Sequence, residues 1–231
     1  MWFSCIPPAA WHGPCSIQEK RRIPHGINRE MEMKNLALLF IRLVVGTLLA
    51  GHGSQKLFGW FEGPGLKGTH GFMEVLGLKP GRVWGTVAAL GEFVGGIFTA
   101  LGFLNPLGPM NVAAAMTVAI RRAHWGKPIW TASGGAELPL TNLAAVTVIA
   151  AAGPGRYSLD SAFGIKLPRW LVALAGIWTA GVTIAALQRP EIAQTVLDKA
   201  SDALPASLKP SGLEVENRPA PVDAPQATAE V

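Results

Sequence analysis

Five long apolar runs constrain the fold of this chain more than any other feature of its sequence. They lie at about 35–52, 82–104, 110–123, 138–152 and 170–187. A helix of about 18–20 apolar residues spans the hydrocarbon core of a bilayer, so the runs predict membrane-crossing helices. Short turns such as NPLGP join successive runs, which favours antiparallel neighbours. The sequence therefore predicts an all-α, membrane-spanning four-helix up-and-down bundle plus a fifth C-terminal transmembrane helix.

The composition also favours a membrane protein. Hydrophobic residues make up 49% of the chain and charged residues only 15%, whereas about a quarter of the residues in soluble domains are charged. The formal charge of +5 suits contact with anionic lipid head groups. We find neither zinc-finger spacing nor a basic helix interleaved with aromatic residues, so we expect the lipid bilayer, and no nucleic acid, as a partner.

The two ends of the chain differ from its apolar middle. The first segment is irregular and basic. Its two cysteines, Cys5 and Cys15, lack C-x-x-C and metal-ligand spacing; they could form a disulfide if exported, but we expect two unreactive thiols. The last segment is acidic and rich in alanine and proline, with room for a short amphipathic helix near 192–197. The predicted organisation is a poorly ordered leader at 1–33, a four-helix membrane domain at 34–163, a fifth helix at 164–188 and a disordered tail at 189–231.

Two charged residues, Arg42 and Glu92, lie inside the first and second apolar runs. A charge at bilayer depth costs at least ~2.5–3.5 kcal/mol, so it is rarely left facing lipid. Arg42 comes ten residues before His52, and Glu92 comes ten residues after Arg82. Antiparallel helices with those ends would place both side chains at one depth, which predicts an intramembrane ion pair. The pair would serve either to fix the helix register or to line a polar cavity.

Further polar residues follow or precede the runs at the same predicted membrane face. Their convergence predicts a polar pocket above the ion pair, although each residue alone would also suit a solvated interface. A histidine there can shuttle protons or hydrogen-bond a quinone carbonyl. The predicted rim consists of His52, Gln55, Lys56, His124 and Glu137.

The sequence carries no motif for several other chemistries. It has no H-x-x-x-H, E-x-x-H or C-x-x-C spacing, and no predicted span holds a histidine in its interior, so we predict no metal or haem site. Phosphate-loop and dinucleotide fingerprints are missing, and no Ser–His–Asp set can be assembled. The catalytic residues therefore stay unknown, and we expect no covalently bound cofactor.

Three segments carry a family resemblance: LLFIRLVVGTLLAGHGSQKLFG, LGEFVGGIFTALGFLNPLGPMNVAAAM and AELPLTNLAAVTVIAAAGPGRYSLD. In this order they resemble the DoxX family of small bacterial integral membrane proteins over about 35–163. The resemblance implies a four-helix membrane domain linked to thiosulfate:quinone oxidoreductase, terminal quinol oxidase or oxidative-stress complexes. It also implies that five residues correspond to recurring polar positions of the family: Arg42, His52, Gln55, Lys56 and Glu92.

Two hypotheses about function remain open. In the first, the chain is a redox-associated subunit, for example of a quinone-linked oxidoreductase such as thiosulfate:quinone oxidoreductase, whose pocket binds quinone or a small sulfur species. In the second, it is a non-catalytic membrane scaffold that recruits soluble redox or stress-response partners. Both place a multi-pass protein in the inner (plasma) membrane, where other redox-complex subunits or soluble proteins are the expected partners.

Overall fold

The computed structural model describes residues 25–203, and the side chains of residues 29–200. Within this range all regular structure is helical and no strand occurs, as the sequence predicts. A π-helical turn, Ile120–His124, continues the fourth helix, and a 3-10 turn occupies Thr131–Ser133. The α-helices are α1 (His25–Phe58), α2 (Gly65–Val75), α3 (Gly81–Leu101), α4 (Leu107–Ala119), α5 (Glu137–Ala152), α6 (Leu159–Phe163), α7 (Arg169–Gln188) and α8 (Ile192–Ala203).

Three helices in the described part of the chain are long and apolar enough to cross a membrane. They are α3, α7 and the Arg29–Phe58 part of α1. The apolar helix α5 has 16 residues, or about 24 Å at 1.5 Å per residue, somewhat less than the hydrocarbon thickness of a typical bilayer. Most of the surface of α1 and α7 is exposed and apolar, which fits helices surrounded by lipid.

The closest helix packing joins α1 to α3, which run antiparallel. Gly46 lies against Ala100, and Gly53 lies against Phe93, in each case with backbone close to backbone. Gly96 of α3 makes the reciprocal contact with Ala50. A Cβ atom added at any of the three glycines would overlap the opposite backbone. Small residues thus allow these two helices to approach closely and fix their register.

The other long helices pack around this pair. Helix α3 also contacts α4, α4 contacts α5 and α7, and α5 returns to contact α1. One buried cluster joins α1, α4 and α5 through Leu49, Val112, Met116 and Val146. A second cluster joins α2, α3 and α7 and consists of Met73, Leu78, Trp84 and Ala186.

The helix ends differ from the sequence-based boundaries. Helix α1 begins at His25, inside the predicted leader, and continues six residues past His52 to Phe58. Glycine weakens an isolated helix, but the packing of Gly53 on Phe93 stabilises this one. Helix α8 includes 192–197, where the sequence left room for a short amphipathic helix, and continues to Ala203 within the segment predicted to be a disordered tail. The rest of the leader (1–24, with Cys5 and Cys15) and of the tail (204–231) lies outside the described residues.

Two neighbouring glycines of α1 provide a test of the α1–α3 contact. We expect Gly53→Ala to destabilise the protein by about 1–3 kcal/mol, because the added methyl group overlaps the backbone of Phe93. Gly51→Ala, where no atom lies within 4 Å of the new methyl group, should stabilise it by up to about 1 kcal/mol. Thermal unfolding in detergent, followed by circular dichroism, compares the two. Equal melting temperatures would contradict the packing.

Candidate functional site

The predicted ion pair between Arg42 and Glu92 does not form, and that prediction is wrong. Glu92 instead forms an ion pair with Lys56. The guanidinium of Arg42 donates hydrogen bonds to the carbonyl oxygens of Pro154 and Tyr157. The reason is the register: the contact of Gly53 with Phe93 places Glu92 level with the turn that follows Gly53. Arg42 is therefore about 18 Å away along the helix axis, at 1.5 Å per residue.

Arg42 belongs to a structural anchor at the opposite end of the bundle from Glu92. Its side chain is 1% exposed, and it holds the loop that follows α5 through Pro154 and Tyr157. In the same region, the carboxylate of Asp160 accepts hydrogen bonds from the backbone N–H groups of Leu104 and Asn105, both at 2.8 Å. Arg42 therefore joins α1 to this loop, and Asp160 joins α6 to the turn after α3. Arg42 thus has other partners than predicted.

At the other end of the bundle, Lys56, Glu92 and His124 form the polar group of the candidate site. Glu92 is 3% exposed, and Lys56 compensates its buried charge. The Nδ1 atom of His124 lies 2.7 Å from the carbonyl oxygen of Gly134. A carbonyl can only accept, so Nδ1 carries the proton, and Nε2 of the neutral ring is a hydrogen-bond acceptor.

Two cavities meet at this polar group. The larger has a volume of about 460 Å³ and lies among α2, α3, α4 and α7. The smaller has a volume of about 150 Å³ and lies among α1, α3, α4 and α5. Both are lined by Lys56, Glu92, Ala119 and His124. The walls of the larger cavity are mainly apolar, with Trp84, Val87, Ala115, Val118 and Val182 among them.

The structure brings together four of the seven residues that the sequence assigned to the site. Lys56, Glu92 and His124 line both cavities, and His52 lines the smaller one. Gln55 lines neither, but its Oε1 atom lies 3.1 Å from Nδ1 of His52. Arg42 and Glu137 line neither cavity. Each instead forms hydrogen bonds with the backbone of a connecting loop.

Sequence reasoning missed several uncharged polar residues that face the cavities. Asn111, Thr179 and Thr183 line the larger one, and Asn142 lines the smaller one. The sequence could have indicated the two asparagines, because an amide inside an apolar run lies at bilayer depth and needs a hydrogen-bond partner. The threonines of α7 gave no such signal, since a threonine can bond to its own helix; Thr183 donates to the carbonyl of Thr179.

Glu137 fastens the loop that connects α4 to α5. Its carboxylate accepts a hydrogen bond of 2.9 Å from the N–H of Thr131, and its own N–H donates to the carbonyl of Ile129. Because the bond from Thr131 favours the charged carboxylate, the pKa of Glu137 lies below its ordinary value. The same loop carries Gly134, the partner of His124, so Glu137 supports the site indirectly.

Within the described residues, no group of three His, Cys, Asp or Glu side chains is placed to hold a metal ion.

A comparison with known protein families gives a match to the part of the chain that holds this polar group. The family model DoxX matches residues 37–125, a segment that includes most of α1, all of α2 to α4, and the residues Lys56, Glu92 and His124. This match supports membership of the DoxX family, as the sequence motifs indicated. The family and the apolar helices together fit an integral membrane protein. Comparisons with curated proteins and with solved structures gave no match.

The ion pair at the site can be tested by a double-mutant comparison. We expect Lys56→Met to destabilise the protein by about 2 kcal/mol, because it leaves the buried carboxylate of Glu92 without its partner. The double variant Lys56→Met/Glu92→Gln should recover most of this loss, because no buried charge remains. Chemical unfolding in detergent measures both. Equal losses in the single and double variants would show that the two residues are not coupled.

The attachment of the α4–α5 loop should depend on pH. The lowered pKa of Glu137 means that the contact is fully present above the ordinary pKa of glutamate and is lost as the pH falls through the lowered value. We expect the hydrogen-exchange protection factor of the Thr131 amide to decrease over that acidic range. In Glu137→Leu, which has no acceptor for this N–H, the protection should be low throughout and free of that pH dependence. The same pH profile in both proteins would contradict the assignment.

Proposed function

We propose that this protein is a multi-pass membrane protein of the inner (plasma) membrane that binds a quinone in its larger cavity, as a redox-associated subunit. In this proposal α1, α3, α4 and α5 form a membrane-spanning four-helix bundle, and α7 adds a fifth crossing. The contacts of α1 with α3 and α5, and of α4 with α3 and α5, support the bundle. The 13 residues of α4 and the five of its π-turn extend about 27 Å, close to the hydrocarbon thickness.

The observation that carries the proposal is the position of one polar group at the edge of a large apolar cavity. A volume of about 460 Å³ lies within the range of about 300–1,000 Å³ that is typical of small-molecule sites. Such sites have mostly apolar walls and a few polar groups that orient the ligand. A quinone matches this pattern, because its ring is apolar and its polar atoms are two carbonyl oxygens.

The polar residues suit both oxidation states of a quinone. A bound quinone supplies the two-electron chemistry, with each oxygen gaining one proton on reduction. Lys56 has three donors, of which Glu92 occupies one, so it can also donate to a quinone carbonyl. The acceptor Nε2 of His124 can receive a hydrogen bond from a quinol hydroxyl. The two electrons would come from a reduced sulfur species such as thiosulfate, either directly or through another redox-complex subunit or a soluble protein.

The smaller cavity extends the proposal to a second reactant. It is lined by His52 and Lys56, and its volume of about 150 Å³ would hold a small sulfur species such as an oxyanion. The two cavities share Lys56, Glu92 and His124. Reactants in the two cavities would therefore contact opposite sides of one polar group.

Quinone binding can be tested on purified protein in lipid nanodiscs. Trp84 and Trp178 line the larger cavity, so a bound quinone should quench tryptophan fluorescence. The double variant Lys56→Met/Glu92→Gln removes the donor without leaving a buried charge. We expect it to bind about tenfold or more weakly, because a hydrogen bond from a charged donor contributes about 1.5–3 kcal/mol. Lys67→Met, which changes an exposed lysine of α2, should bind as the unaltered protein does.

Thiosulfate-dependent reduction of the quinone by the same samples tests the assignment as an oxidoreductase subunit. Turnover that is lost in the double variant supports that assignment. If the unaltered protein neither binds nor reduces quinone, and a soluble redox or stress-response protein co-purifies with it, the non-catalytic scaffold becomes the better account.

A further inference from the structure

The larger cavity extends well beyond its polar end, toward α7. From α7 it is lined by Trp178, Thr179, Val182, Thr183 and Ala186. This wall lies outside residues 37–125, the segment that matches the family. The cavity also reaches Lys127 and Gly134 in the α4–α5 loop, close to His124. The cavity thus combines a polar region at a connecting loop with an apolar region between helices.

The apolar region opens on the outside of the helices. Phe72 of α2, Val87 of α3 and Trp178 of α7 line the cavity, and their exposed fractions are 52%, 45% and 76%. In a membrane, exposed apolar side chains of this kind contact lipid. Gly91 of α3 also faces the cavity, and a Cβ atom added there would meet only the carbonyl oxygen of Asn111, at 3.9 Å. A passage lined by apolar atoms therefore leads from the polar group to the bilayer.

Helix α7 is held in a way that leaves this passage open. It packs along α4, and Arg122 binds its last turn through the carbonyl oxygens of Ala186 (2.8 Å) and Leu187 (3.0 Å). Helix α7 also meets α3, since Ala186 of α7 and Trp84 of α3 belong to the second buried cluster. Since Trp84 is in the first turn of α3, the two helices meet at that end and leave a groove further along.

We infer that this groove between α3 and α7 holds the hydrocarbon chain of the ligand, and that the ligand enters from the bilayer through it. The inference rests on the proposed quinone site and narrows its ligand to a membrane-dissolved quinone with a long apolar chain. The continuity of the cavity carries it: one void joins hydrogen-bonding groups at Lys56, Glu92 and His124 to an apolar groove that opens toward lipid. A single molecule with a polar head and a hydrocarbon chain matches both parts.

The test compares two probes, a dimethoxy-methyl-benzoquinone without a side chain and its decyl derivative. Binding to protein in nanodiscs is measured by equilibrium dialysis, with empty nanodiscs to subtract partition into lipid. Val182→Phe narrows the groove, and Ile177→Phe is the matched control, because Ile177 is on the same helix, is 70% exposed and does not line the cavity. Gly91→Leu narrows the groove from α3 and provides a second variant.

We expect Val182→Phe and Gly91→Leu to weaken binding of the decyl probe by about tenfold or more, since displacing two methylene groups from an apolar wall has an effect of about that size. Their binding of the chainless probe should stay within about twofold, as should both probes with Ile177→Phe. If the chainless probe binds but neither groove variant affects the decyl probe, the inference is overturned, bilayer acyl chains become the better occupant, and the proposed quinone site stands. If neither probe binds the unaltered protein, the proposed function fails as well.

Discussion

The close backbone contact between α1 and α3 determines where the charged residues Arg42, Lys56 and Glu92 lie relative to one another. Gly46 and Gly53 on one helix, and Gly96 on the other, allow an approach that any side chain would prevent. This approach fixes the register of the antiparallel pair. The register brings Lys56 to Glu92 and separates Glu92 from Arg42 by about 18 Å along the helix axis. The polar site at one end and the anchor at the other both follow from it.

The two buried charges have different roles because their partners differ. Arg42 is held by backbone carbonyls of the loop after α5, which already lie in fixed positions. Such a site binds the two terminal nitrogens of the guanidinium and joins α1 to this loop, and it borders neither cavity. Glu92 is paired with a flexible lysine side chain at the junction of two cavities. A lysine has further donors to offer a ligand, so this end of the bundle is the one suited to binding.

Part of the site could be predicted from the sequence because polar residues in apolar surroundings are costly and therefore conspicuous. Glu92 stood out for that reason, whereas Lys56 and His124 were assigned because they follow apolar runs at one predicted membrane face. The structure brings the three together. The pairing of Arg42 with Glu92 failed because it assumed that α1 ends at His52. The helix continues to Phe58, since contact with α3 compensates the poor helix propensity of its glycines. This compensation comes from a tertiary contact, and helix propensities along the sequence do not describe such contacts.

The sequence by itself determined the helical class, the positions of the apolar segments and the similarity to the DoxX family, because these depend on hydropathy and local motifs along the chain. Only the tertiary structure decided which charges meet, where the cavities lie and that α7 supplies a cavity wall. Those features depend on the register and spacing of helices that are distant in sequence. A slip of one turn between α1 and α3 would leave the hydropathy profile unchanged and would give Glu92 a different partner.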